Sequence, residues 1–208
     1  MGYCENMIQH IWFDFSDTLA MPNEHHRALQ LKTYAAAVSK EESPALMAEF
    51  DKLRDRVNSK SAVFRSLGLP RGYWSKVVND NDPASLYSLA DESIPRVLAK
   101  LRESVLLSIF SNMRMDILLP GVGIDPALFT HFISSEDIAN PKPALDGFQK
   151  LVELSNLPAK DILFVGDGVA KEMLPAKEVG LTTCLMWDTS EHADYSFNKF
   201  EDLLTVLG

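Results

Sequence analysis

The stretch Ile11-Trp12-Phe13-Asp14-Phe15-Ser16-Asp17-Thr18-Leu19 decides the fold, because a short apolar run delivers a carboxylate straight into a polar turn. An α/β protein presents a reactive side chain in this way, at the C-terminal end of a strand. Two later segments repeat the pattern. Residues 105–110, Val-Leu-Leu-Ser-Ile-Phe, run into Ser111-Asn112, and residues 162–165, Ile-Leu-Phe-Val, run into Gly166-Asp167, with Glu172 shortly beyond. Between them Lys142 stands in Asn140-Pro141-Lys142-Pro143, where prolines on both sides restrict the backbone and aim the side chain.

Outward from these anchors the chain divides into three parts. Residues 7–15 form a strand. Residues 21–83 carry a helical signal: Leu46, Phe50, Leu53 and Val57 recur at amphipathic spacing, and Ser43-Pro44 supplies an N-cap and a first-turn proline. Gly68 with Pro70 ends a helix over 61–67, a short one follows over 73–78, and Asn79-Asp80-Asn81-Asp82-Pro83 is a turn-rich break. From Ile94 on, helix and strand alternate: a helix through Ile94, Val97, Leu98 and Leu101, a strand at 105–110 and a short one at 132–134. A helix over 145–154, a strand at 162–165, a helix over 171–179 stopped by Gly180, a strand at 182–187 and a helix over 200–207 complete the chain. Alternation with fully apolar strands implies a parallel sheet covered on both faces.

The 208 residues, 46% hydrophobic, suffice for one core and a small insertion. A net charge of −9 argues against nucleic acid or an anionic membrane as partner, since both require a basic face. Cys4 and Cys184 are too few for a disulfide framework, and Cys184 reads as a buried strand residue. No signal peptide is legible, Asn6 spoils a myristoylation signal at Gly2, and no apolar run reaches membrane-spanning length. A cytoplasmic protein is expected.

In order and spacing these segments resemble the haloacid dehalogenase-like (HAD) hydrolase superfamily, in the helical-cap subclass similar to phosphoglycolate phosphatase-like proteins. The resemblance covers nearly the whole chain. It implies an α/β, Rossmann-like parallel-sheet core over 1–19 and 84–208, with an α-helical cap inserted over 20–83. It also implies a Mg²⁺-dependent phosphatase acting on a small phosphorylated metabolite. Asp14 is then the nucleophile that forms an aspartyl-phosphate. Asp14, the backbone carbonyl of Ser16 and Asp167 hold Mg²⁺, with Glu172 as the second acid of that motif. Oxygen-only ligation suits such a hard cation. Ser111 and Asn112 hold the phosphoryl group, and Lys142 neutralises the charge gathering between carboxylate and phosphate. Replacing Lys142 by Met is expected to abolish turnover and leave thermal stability nearly unchanged. Glu172 alternatively reads as a helix-start carboxylate.

Ser16 breaks the pattern. Phosphatases of the family carry an aspartate there as general acid and base, a contribution of roughly 10²–10⁴-fold. Asp17, at a place usually held by glycine, is a candidate surrogate acid or simply a polar turn residue. Three readings stay open: a slow phosphatase, a different hydrolase of the family, or a phospho-ligand scaffold without turnover. A phosphonatase needs a Schiff-base lysine, for which Lys32, Lys40, Lys52 and Lys60 are available; a dehalogenase works without Mg²⁺, and Gly166-Asp167 counts against it. His25, His26, Lys40 and Arg71 are candidates for setting specificity from the cap.

Overall fold

The computed structural model describes residues 7–57, 59–111, 113, 115–134 and 137–207. They divide into two compact units, Pro22–Ser88 and the flanking residues through Met21 and from Leu89. Strand β1 (His10–Phe13) is followed by β2 (Ala20–Pro22) and four helices, α1 (Glu24–Val38), α2 (Pro44–Val57), α3 (Lys60–Ser66) and α4 (Tyr73–Asp80). The chain continues through β3 (Tyr87–Leu89), α5 (Ile94–Arg102), β4 (Leu106–Phe110), α6 (Met115–Gly121), β5 (His131–Ile133) and α7 (Asp146–Ser155). Strand β6 (Ile162–Gly166) leads through a π-helical turn (Val169–Met173) into α8 (Leu174–Glu178), and β7 (Thr182–Met186), β8 (Tyr195–Phe197) and a 3-10 helix (Phe200–Leu207) end it.

Among the described residues the larger unit holds a six-stranded sheet in the order β5-β4-β1-β6-β7-β8, and its strand pairs are parallel. The winding reverses at β1, which lies between β4 and β6. In open parallel sheets the crevice for a ligand opens at that reversal, beyond the strands' C-terminal ends. Ile11, Trp12, Phe13, Leu107, Ile109, Leu163, Phe164 and Val165 are fully buried, so the strands are apolar on both faces as helix-covered parallel strands must be. Phe110, Phe148 and Phe164 interlock edge to face at 5.2–6.3 Å. Gly147 makes room for them: a Cβ there would lie 2.0 Å from the Phe110 ring. Cys184 is buried in β7, and burial pushes its thiol pKa up.

In the helical unit, Asn23 caps α1 by accepting the His25 and His26 amides, and Ser43 caps α2 by accepting that of Leu46. Its core is aromatic: Tyr34 and Phe64 flank Phe50 at 5.1 and 5.7 Å, and Trp74 stacks on Phe64. The expected α2 stripe is buried only in its first half. Leu46, Met47 and Phe50 are inside, whereas Val57 is exposed, because the aromatic partners gather at Phe50.

Several elements differ from the sequence expectation. The first strand is shorter than 7–15, since the chain turns once Asp14 has donated its amide to Val165. β2, β3, α6 and β8 carry too few residues to establish a period. The helix expected over 171–179 is a π-helical turn followed by α8, a difference that matters for Glu172. No helix among the described residues is long and apolar enough to cross a membrane.

Candidate active site

The pairing of Phe13 with Ile109 on one side and Val165 on the other brings the residues after β1, β4 and β6 to one sheet edge. Asp14, Ser111 and Asp167 therefore leave the sheet together. Asp14 is held by its amide, which donates to the Val165 carbonyl at 2.9 Å, and Ser111 likewise donates to Ile133 at 2.9 Å. Both are buried. The carboxylates of Asp14, Asp167 and Glu172 converge, with one oxygen from each lying within 4.8 Å of the others.

Lys142 reaches this group from the loop before α7. Its ammonium donates to Asp14 Oδ1 at 2.7 Å, to Glu172 Oε1 at 2.5 Å and to the Phe110 carbonyl at 3.3 Å. It also lies 5.0 and 5.6 Å from the ring centroids of Phe110 and Phe164, so β4 and β6 supply an aromatic seat for the cation. Glu172 Oε2 accepts the amides of Asp167 and Gly168 at 3.0 and 3.1 Å. Both of its oxygens are thus engaged, one by a lysine and one by the turn that carries Asp167. The π-helical turn brings that carboxylate back over β6, and Gly166 permits the approach: a Cβ there would lie 2.2 Å from Glu172 Oε2.

Three acids around one ammonium leave an excess of negative charge. Burial raises the Asp14 pKa to about 6, helped by Glu172 and opposed by Lys142. Burial, then Glu172 and Asp14, raise that of Asp167 to about 7. Burial disfavours the Lys142 ammonium, but the charges of Asp14 and Glu172 outweigh it and its pKa is raised. Among the described residues no hydrogen bond reaches the Asp167 carboxylate, which leaves it available to a cation.

Ser16 lies in the turn after Asp14, and its hydroxyl donates to Met113 Sδ at 3.7 Å. Asp17 has φ +65°, the left-handed conformation that explains why glycine suits this place and that an aspartate tolerates. Its amide donates to Ala20 at 2.8 Å. Asn112 lies outside the described residues. Of the specificity candidates, His26 is buried against Trp74 and Tyr87, Lys40 pairs with Glu49 at 2.8 Å, and His25 is exposed.

One site neighbour had no signal in the sequence. Trp187, just past β7, adopts φ +69°, which is strained for a bulky side chain. Its indole N–H donates to the Thr18 carbonyl at 3.2 Å, and its ring stacks on Phe200. It thereby anchors the turn that carries Ser16 and Asp17. Only the three-dimensional approach of β7 to that turn reveals it.

The sequence profile of haloacid dehalogenase-like hydrolases matches residues 8–180. The chain belongs to this family of hydrolases. Over 93 residues this HAD hydrolase is 31% identical to glyceraldehyde 3-phosphate phosphatase of Methanocaldococcus jannaschii. That alignment spans 41% of the chain and 40% of the relative. In fold it is similar to the HAD phosphatase of Thermococcus onnurineus, with TM-score 0.73 and 18% identity over 97% of this chain and 98% of that one. It is similar as well to the HAD hydrolase YfnB of Bacillus subtilis, whose structure is bound to magnesium, with TM-score 0.70 and 20% identity over 97% and 99%.

Proposed function

We propose that this HAD hydrolase is a Mg²⁺-dependent phosphatase acting on small phosphorylated metabolites through an aspartyl-phosphate at Asp14. The observation that carries this reading is the convergence of Asp14, Asp167 and Glu172 oxygens within 4.8 Å, with Lys142 bound to Asp14. The relative that acts on glyceraldehyde 3-phosphate supports a small phosphorylated substrate. The Pro22–Ser88 unit is assigned the role of cap over the substrate.

A hard divalent cation fits these residues. The donor set is all oxygen, it carries more acid than base, and the Asp167 carboxylate has no hydrogen bond among the described residues. Asp14, Asp167 and the Ser16 carbonyl would hold Mg²⁺, whereas Glu172, already engaged on both oxygens, orients Lys142 and the Asp167 turn. Bound there, the cation supplies positive charge that shields the phosphoryl oxygens from the nucleophile's own charge. Asp14 attacks phosphorus. Lys142 balances the charge that builds on the transferring group, and Ser111, with Asn112, donates to its oxygens. Water then cleaves the acyl phosphate and restores Asp14.

The test is phosphate release by the purified protein from acetyl phosphate and p-nitrophenyl phosphate, with Mg²⁺ or with EDTA. Release that requires Mg²⁺ and disappears in Asp14→Asn is expected. Equal release with EDTA, or full activity in Asp14→Asn, would sink the reading. Ser16 favours a second one, a scaffold that binds phosphorylated ligands without turnover, and measurable Mg²⁺-dependent release would remove it.

A further inference from the structure

The helical unit holds a groove that its aromatic core does not fill. Helix α1 lends it Glu24, Arg27, Ala28 and Leu31, and α2 lends it Pro44, Met47, Ala48 and Asp51. Both sets follow the i, i+3, i+4, i+7 spacing of one helix stripe, so the groove is the seam between two stripes. Tyr34 and Phe50 pack on each other at 5.1 Å away from that seam, where Ala28 and Ala48 are too small to close it and stay exposed. The opening measures about 530 Å³, with Leu31 and Met47 among its apolar walls, and falls in the size range of small-molecule sites.

The charges around the groove do not balance. Arg27 bridges to Asp51 at 2.8 Å, Asp51 also holds Arg54 at 3.0 Å, and Arg54 holds Asp55 at 2.8 Å. Two guanidinium groups and two carboxylates leave that cluster neutral. Glu24 and Glu42, which also line the groove, have no ion pair among the described residues. An anion would meet these carboxylates, and so would the same face of a second copy of a chain whose net charge is −9. We propose that the groove between α1 and α2 binds a small organic cation, a protonated amine carried on an apolar aliphatic or aromatic body. The body covers Ala28, Leu31, Met47 and Ala48. The ammonium stays hydrated at the rim beside Glu24 and Glu42, as a snorkelling lysine keeps its head in water. Burial of hydrocarbon supplies the affinity, and the two carboxylates select the sign of the charge. None of these residues belongs to the Asp14, Asp167 and Glu172 group, so the proposal does not rest on the phosphatase reading.

Three probes of one shape test this on the full chain in Mg²⁺: para-tert-butylbenzylammonium, para-tert-butylbenzyl alcohol and para-tert-butylbenzoate. Binding is read by NMR at the methyl groups of Ala28, Met47 and Ala48, which report on the groove and not on the Asp14 group. The ammonium should shift all three methyls saturably with Kd below about 1 mM, the alcohol should bind at least about threefold more weakly, and the benzoate should bind least. Replacing both acids, Glu24→Gln with Glu42→Gln, should bring the ammonium down to the affinity of the alcohol. Ala48→Leu, at an exposed helical position that leucine suits, should fill the seam and remove binding of all three while the melting temperature stays near that of the wild type. No saturable shift up to about 10 mM ammonium overturns the proposal. So does equal affinity for the three probes, or an ammonium affinity that the double Glu→Gln variant leaves unchanged. Shifts of the same methyls on raising protein concentration alone would make the groove a face between copies. Tighter binding of a lysine-rich amphipathic peptide than of the ammonium would give it to a protein partner instead.

Discussion

The two ends of β1 bury polar groups under opposite rules. At the N-terminal end, His10 is fully buried with Nε2 2.8 Å from the Ser108 hydroxyl, which also accepts the His131 amide at 3.0 Å. Burial, followed by His131 and Arg102, lowers its pKa to about 4, so the ring is neutral. Nδ1 has no partner, and a proton placed there would have no acceptor. Four residues further on, Asp14 sits among two more acids and one ammonium. The lower end is a neutral pair that leaves the fold no charge to balance. The upper end concentrates charge that the fold leaves in excess, which is how a functional site differs from packing.

Breaking the upper end should have the largest effect. Lys142→Met removes the one cation between two buried carboxylates, so without Mg²⁺ at neutral pH we expect a loss of about 3–5 kcal/mol in urea unfolding. Activity should fall by about 10²–10³-fold. The sequence had suggested little change in stability; the 5% exposure of the Lys142 side chain is what reverses that expectation. An unchanged unfolding midpoint would mean the carboxylates are solvated.

The lower end should respond to pH instead. The unfolded chain binds the His10 proton near 6.5 and the folded one only near 4, so stability is intact above 6.5 and drains away as pH falls toward 4. Asp14 and Asp167, raised to about 6 and 7, take up protons on folding and gain stability over the same range, so the test is the difference. Between pH 7 and 4.5 the unfolding midpoint of the wild type should fall relative to that of His10→Leu, and parallel curves would remove His10 as a cause. His26, lowered to about 3 by burial and then by Lys60, contributes equally to both proteins and cancels in that difference.

Between the ends, Gly147→Ala probes the seat of Lys142. The added methyl meets the Phe110 ring at 2.0 Å, and overpacking of this kind costs about 1–3 kcal/mol. Because the ring must move, activity should drop along with melting temperature, and a variant that loses stability alone would uncouple seat from site. The smallest effect is expected from Trp187→Phe, which keeps the ring on Phe200 and loses one hydrogen bond to Thr18, worth about 0.5–1.5 kcal/mol. A KM increase of a few-fold with little change in unfolding would mark Trp187 as a positioning residue for the turn.

Much of this was legible in the chain. Apolar runs ending in Asp14, Ser111 and Asp167 announced three strand ends, and α5 buries the very residues its spacing predicted, Ile94, Val97, Leu98 and Leu101. Period and composition are local properties, and they survive folding. The role of Glu172 was not legible, since a carboxylate near a helix start reads alike whether it caps, binds a cation or pairs with a distant lysine. Neither was Trp187, whose partner is remote in sequence.

By itself the sequence determined that a parallel α/β sheet would form and which carboxylates would stand at its strand ends, because strand polarity and hydrophobic patterning are written residue by residue. Only the tertiary structure decided which of them share a charge. The register of β1 against β4 and β6, the glycines at 147 and 166 and the π-helical turn bring Lys142 between Asp14 and Glu172. Electrostatic coupling depends on distance and burial in space, and neither is a property of spacing along the chain.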